Sequence, residues 1–234
     1  MRKRYSTLLH SFWIPAFVGM TMGFSAVVAP TASAEAQSSN AVALFEQARD
    51  RIAAAKSLRV TFQQTLSNPL LGNSSTAKGE LVRKQPNLFS ITFSEPNTGD
   101  RIVSDGKHLW LYVPTSAPGQ VIKSQLSKKP QMLADPFTQV LTASSDDYSV
   151  TAAGKTTLGT TTAYGAVLQA KKSNGLFTKA VVWLDGSASV QRVDITEPSG
   201  VQRTITILSL ESNVSIPASR FVFTPPPKTR IIEQ

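Results

Sequence analysis

The chain has 234 residues, carries 24 Lys and Arg against 15 Asp and Glu for a net charge of +9, and contains no cysteine. The missing thiol excludes disulfides, a thiolate nucleophile and Cys-ligated metal, and also the cysteine that a lipid-anchored secreted protein needs as its first mature residue. The basic excess favours an anionic partner, such as a membrane surface or an acidic protein face.

Arg2, Lys3 and Arg4 precede an apolar run from Leu8 to Pro30, and Ala32-Ser33-Ala34 follows as a small-residue cleavage motif. This is the pattern of a signal peptide over residues 1–34. Pro15, Gly19 and Gly23 interrupt the run and no basic stop-transfer cluster follows, which favours cleavage over a retained anchor. Removing those three basic residues from 24 leaves 21 against 15 acids, a mature net charge of +6. Residues 35–234 are expected to form one domain, since antiparallel β domains of this length are commonly undivided.

Ser39 and Asn40 are placed to cap a helix in which Phe45, Ala48, Ile52 and Ala55 recur on one face, ending near Ser57. The period then changes to two, with Leu58, Val60 and Phe62 alternating with Arg59, Thr61 and Gln63. Strands are expected at Lys78–Lys84, Leu88–Ser94, Arg101–Ser104 and Lys107–Val113, separated by Pro86-Asn87, Pro96–Gly99 and Asp105-Gly106. Asp105-Gly106 suits a two-residue turn with positive φ at both positions. After Lys128-Lys129-Pro130, the spacing of Met132, Leu133, Phe137, Val140 and Leu141 is helical, and Pro136 divides the segment into two short helices. Strands resume at Tyr148–Ala153, Thr161–Lys171, Leu176–Leu184, Val190–Thr196 and Val201–Leu210, followed by a last one at Arg220–Phe223 and a short extended tail after Pro225-Pro226-Pro227. The fold class is mainly β: an antiparallel meander of about ten to eleven strands with a few helices at two places.

Catalytic inventories are poorly filled. The mature chain has a single histidine, His108, on a strand before Leu109-Trp110, where a partly exposed strand residue is a better reading than a general base. Asp146 and Asp147 are adjacent, and neighbours on a strand face opposite ways, which rules against a paired general acid and base. Nucleophile elbows, zinc motifs, phosphate loops and dinucleotide fingerprints are absent from the sequence, so neither an enzyme nor a cofactor or metal is expected. The basic pairs Arg83-Lys84, Lys128-Lys129 and Lys171-Lys172 are scattered, unlike the clustered basic and aromatic residues of a nucleic-acid binder. What stands out is large apolar residues on strands with little helix to cover them: Phe62, Leu81, Phe89, Ile91, Phe93, Leu109, Leu111, Val113, Trp183 and Ile205. These line an inner face, and their pattern alone fits both a filled core and a hollow one.

Gly79-Glu80-Leu81, then Pro86-Asn87-Leu88-Phe89, then Val103-Ser104-Asp105-Gly106-Lys107-His108-Leu109-Trp110-Leu111-Tyr112, together with Phe221-Val222-Phe223-Thr224-Pro225-Pro226 near the end, resemble the LolA family of periplasmic lipoprotein carriers. The resemblance runs in order over essentially the whole mature chain. It implies an incomplete antiparallel β-barrel with a lid of short α-helices, and a soluble, monomeric periplasmic chaperone that holds lipoprotein acyl chains in an apolar cavity. The partners implied are acylated lipoproteins, a LolCDE-type ABC transporter at the inner membrane and a LolB-type outer-membrane receptor. The cavity would be lined by Phe62, Leu81, Phe89, Ile91, Phe93, Leu109, Leu111, Trp183 and Ile205, and the lid formed by Met132, Leu133, Phe137, Val140 and Leu141. Phe89 would also belong to the transporter-facing surface. The family arginine that holds the lid closed is replaced here by Gln85, and Arg83, two residues earlier, is expected to share its face and its latch role. An envelope lipid-binding sensor or structural module on the same half-barrel is the alternative.

Overall fold

The structure, a computed structural model, describes residues 32–126, 135–172 and 176–234, and the side chains from residue 40 onward within the first helix. That helix, α1, runs Ala32–Ala54. Ser39 and Asn40 therefore lie inside it and do not cap it, because the Ala-, Glu- and Gln-containing stretch before them continues the helix toward the N-terminus. Its expected face is buried: Phe45, Ala48, Ile52 and Ala55 are 4% exposed or less, joined by Ala41 and Leu44.

Among the described residues, one sheet of twelve strands follows. The first six are β1 (Ser57–Asn68), β2 (Asn73–Lys84), β3 (Leu88–Phe93), β4 (Arg101–Asp105), β5 (His108–Tyr112) and β6 (Gln120–Gln125). A short helix, α2 (Pro136–Leu141), precedes β7 (Tyr148–Leu158), β8 (Thr161–Ala170), β9 (Lys179–Leu184), β10 (Val190–Thr196), β11 (Gln202–Ser212) and β12 (Arg230–Glu233). The order across the sheet is β12-β6-β5-β4-β3-β2-β1-β11-β10-β9-β8-β7. Two antiparallel meanders are thus joined where β1 pairs with β11, and β7 and β12 remain as separate edges. The sheet is large and unclosed, with few helices: an incomplete barrel under a helical lid.

Three expectations fail locally. The strand expected at Arg220–Phe223 is a 3-10 turn, Ala218–Phe221, whose Phe221 packs with Ile216 on Val82 against the outer face of the sheet. Phe223 continues that cover, its ring centroid 5.6 Å from Trp110 and 5.5 Å from Tyr112. The tail beyond the prolines is strand β12, parallel to β6, a pairing no local pattern announces because the two segments lie far apart in sequence. In the Asp105-Gly106 turn only Gly106 has positive φ, +89°, and Asp105 ends β4. Its carboxylate accepts the Lys107 and His108 amides at 2.8 and 2.7 Å, so the turn is fixed by an Asp side chain and one glycine. Burial pushes the Asp105 carboxyl up, but those amides and the Trp110 indole more than offset it and hold it at about 2.

Among the described residues, the central segment contains α2 alone. Pro136 starts this helix at its first position, the restart that its place in the segment implies, with Asp135 as the cap. Met132, Leu133, the Lys128-Lys129 pair and the Ser173-Asn174-Gly175 turn lie outside the described residues.

Candidate functional site

Strand alternation decides which side chains face the helices. Val60, Phe62 and Gln64 of β1 stand opposite Leu81, Gly79 and Ala77 of β2, and Leu81 and Gly79 stand opposite Ile91 and Phe93 of β3. Ile91 in turn pairs with Ile102 of β4. On the other side, Gln64 pairs with Ile205 of β11, so one apolar face runs continuously from β4 to β11. Gly79 makes room in this face. A Cβ there would sit 2.8 Å from Phe62 Cζ and 3.0 Å from the Thr92 carbonyl oxygen, so the Phe62 ring lies over the bare glycine backbone. The same ring meets Phe93 edge-on at 6.1 Å between centroids.

A cavity opens on this face beneath α2, with about 410 Å³ of empty space that is partly open to solvent. Val60, Phe62, Leu81, Ile91, Phe93, Ile102 and Ile205 supply the apolar walls, and Pro136 and Phe137 the roof. Phe62, Leu81, Ile91, Phe93, Ile205 and Phe137 were thus expected and are brought together. Phe89, Leu109 and Leu111 share the face by register but lie beyond the cavity wall, Leu109 buried in the core and the other two packed on it. Val140 and Leu141 are fully buried in the same core.

Trp183 is a correction. Along β9, Ala180, Val182 and Leu184 point into the core, which puts Trp183 on the opposite face of the sheet. There its indole donates to Asp194 Oδ2 at 2.8 Å, the Arg192 guanidinium stands 5.4 Å from the ring centroid, and the ring covers Gly165, where a Cβ would lie 2.8 Å from Trp183 Cζ3. Size had suggested an inward residue; the strand period of two sends it outward.

Three polar residues also line the cavity, and apolar patterning passes over them. Arg203, 8% exposed, donates to Glu197 Oε1 from Nε at 3.1 Å and from Nη2 at 2.8 Å, and to Gln64 Oε1 from Nη1 at 2.7 Å. The buried cation is therefore compensated within the protein. Asp135 caps α2 by accepting the Thr138 amide at 3.0 Å. Burial pushes its carboxyl up, against the opposing hydrogen bonds from Thr138 and the positive charge of Arg83. Val60 and Ile102 were also missed, although their parity with Phe62 and Ile91 carries the signal.

The two expected latch residues act at different places. Gln85 follows the end of β2 and donates from Nε2 to the carbonyl oxygens of Ala53 at 2.8 Å and Ala55 at 3.1 Å. It therefore holds the C-terminal end of α1, where helix carbonyls lack internal partners. Arg83, half-buried on the cavity face of β2, bears electrostatically on Asp135 at the start of α2.

His108 stands on the opposite face, its Nδ1 3.4 Å from Asp105 Oδ2, and Asp146 and Asp147 are exposed in the turn before β7. Among the described residues no cluster of His, Asp and Glu is arranged to hold a metal ion, and no helix is long and apolar enough to cross a membrane.

Residues 53–224 match the profile of the family described as outer membrane lipoprotein carrier protein LolA. The outer-membrane lipoprotein carrier protein of Serratia proteamaculans is 28% identical over 188 residues, covering 80% of this chain and 86% of that protein. Its counterpart in Salmonella paratyphi B is 26% identical, covering 90% and 94%. An uncharacterized conserved protein from Thermus thermophilus has a similar fold, with a TM-score of 0.50 at 14% identity over 81% of this chain and 98% of that one. A profile match spanning the end of α1, strands β1 to β11 and the Phe221–Thr224 segment places this chain in the LolA family.

Proposed function

We propose that this protein is a soluble periplasmic carrier that shields the acyl chains of lipoproteins in the cavity beneath α2. It takes cargo from an inner-membrane ABC transporter of the LolCDE type and passes it to an outer-membrane receptor of the LolB type. The observation that carries this reading is an apolar cavity, roofed by one short helix, in a sheet whose two edges do not meet. The relatives' names supply the class of cargo.

The energetics suit a carrier. At roughly 0.8 kcal/mol per buried CH₂, a 16-carbon chain costs on the order of 12 kcal/mol to leave in water. A cavity whose buried Arg203 is compensated by Glu197 and Gln64 lines that chain without a bare cation. Binding and release need no covalent step, so the protein acts without catalysis, metal or cofactor, as a monomer. Residues 1–34 serve as the export signal, and cleavage after Ala34 leaves α1 from Glu35 onward. Phe89, half-buried beyond the cavity wall and opposite Ser104, faces the transporter during loading.

Mass spectrometry of the mature protein purified from periplasm tests the reading. Co-purifying triacylated lipoprotein is expected, together with saturable, metal-independent binding of a fluorescent fatty acid at micromolar protein. Absence of both identifies the cavity as a packing defect of an ordinary core. A folded Phe89→Glu protein that accepts lipoprotein from the transporter at the normal rate removes the role of Phe89.

A further inference from the structure

We propose that the tip of the β1–β2 hairpin, Pro69-Leu70-Leu71, is a lipid-insertion element that touches a bilayer surface beside the cavity mouth. Leu70 and Leu71 are 86% and 71% exposed, the highest values among the exposed large hydrophobic side chains of the described residues. They are adjacent, at the end of the two longest strands, and they are held in place. Asn68 Oδ1 accepts the Leu70 amide at 3.1 Å, the Asn68 carbonyl accepts the Leu71 amide at 3.2 Å, and Gly72 closes the turn at φ +65°. The backbone amides are thus bonded inward while the leucine side chains project outward.

The hairpin protrudes on one side. Pairing of β2 with β3 ends at Gly79–Phe93, so Asn73–Ala77 have no β3 partner, an overhang of roughly 17 Å at 3.3–3.4 Å per residue. A protein that must stay soluble ordinarily blunts such a projection with charge. Here no Asp, Glu, Lys or Arg occurs from Val60 to Ala77, and the residues flanking the leucines are Ser, Thr, Asn and Gln. Such a surface has no ionic group to desolvate as it enters the headgroup region, whereas the protein as a whole is cationic and is drawn to anionic lipid.

The tip is continuous with the cavity. Phe62, Gln64 and Leu66 lie on one face of β1, and the first two line the cavity, so the same face leads from the acyl-chain site toward the tip. The purpose of the contact, to bring the cavity mouth to a membrane during transfer, rests on the carrier reading. The contact itself does not.

Because the chain has no cysteine, Leu71→Cys and Leu208→Cys each accept a single environment-sensitive label on the full mature protein; Leu208 is 55% exposed on β11 and serves as control. With vesicles of phosphatidylethanolamine and phosphatidylglycerol, the label at 71 is expected to enter an apolar environment while that at 208 stays in water. Leu70→Glu/Leu71→Glu is expected to lower vesicle binding at least tenfold, as the burial of two leucines implies, and Leu208→Glu to leave it unchanged. Fluorescent fatty acid binding in the cavity should be the same in all variants, which shows that they are folded; its absence from the native protein would count against the carrier reading and not against the tip. The proposal is overturned if the label at 71 ignores vesicles, if the double variant binds them normally, or if the label shifts without lipid as protein concentration rises. That last outcome assigns the leucines to a contact between protein molecules.

Discussion

Replacing Gln85 by Ala removes two hydrogen bonds from the end of α1, to the carbonyls of Ala53 and Ala55. A neutral amide bond nets about 0.5–1.5 kcal/mol, and because Gln85 is exposed the lower end applies, giving about 1 kcal/mol for the pair. That shifts the opening equilibrium of the last turn of α1 roughly fivefold. Gln85→Arg keeps donors near the same carbonyls and adds a cation at a helix C-terminus, worth about 0.3–1 kcal/mol in the stabilising direction. Arg83→Ala acts elsewhere, because it withdraws the positive charge that opposes the raised pKa of the buried Asp135 carboxyl at the start of α2. Amide hydrogen exchange should therefore give a crossed pattern. Gln85→Ala deprotects Ala55 and its neighbours, Gln85→Arg protects them, and Arg83→Ala deprotects the 136–142 segment while leaving α1 unchanged. If the two alanine variants loosen the same helix, or if neither loosens any, the division of the latch between two helices is wrong.

Asp135→Asn preserves a good cap and removes a carboxylate that burial disfavours. The native carboxyl has a folded pKa raised above 3.8, so its ionisation costs stability as pH rises through 3.8 toward the folded value; urea midpoints should show the Asn variant gaining on the native protein at pH 7 relative to pH 3.5. A pH-independent difference would show that the burial cost is not realised. Gly79→Ala forces the Phe62 ring toward the cavity, with an expected overpacking cost of about 1–3 kcal/mol and a smaller capacity for a fluorescent fatty acid; unchanged capacity with unchanged stability would mean the ring moves freely. Trp183→Phe removes the bond to Asp194 on the opposite face and should lower stability by about 1 kcal/mol without altering fatty acid binding, so altered binding would put Trp183 back among the functional residues.

What was legible in the sequence was whatever a local period or a local turn encodes. The buried face of α1, the hairpin order and the group Phe62, Leu81, Ile91, Phe93 all follow from spacing, because each side chain's direction is fixed by its parity within its own strand. What was not legible depended on a partner distant in sequence. Strand β12 exists because it meets β6 about a hundred residues away, and Phe221 turns inward because Val82 and Ile216 offer a second small core on the outer face of the sheet. Trp183 was misread for a different reason: bulk was allowed to outweigh parity, and the residues on either side of it, Val182 and Leu184, are the ones that are fully buried.

The polar part of the site follows from the same distinction. Gln64 and Arg203 occupy apolar-face positions on two strands that pair only across the junction of the two meanders, and read separately each looks like a break in the hydrophobic pattern. Across that junction they form one hydrogen-bonded unit with Glu197, and burial of the charge is tolerated only because all three are present. A polar residue at an inward strand position is thus a prompt to search for its compensating partner on the neighbouring strand, and here that search leads to the wall of the cavity. The lid gives the same lesson in one residue, since Asp135 both caps α2 and occupies a buried, charge-disfavouring position under the influence of Arg83. Its two roles cannot be separated by alanine, which loses cap and charge together, whereas asparagine separates them by keeping the cap and discarding the charge.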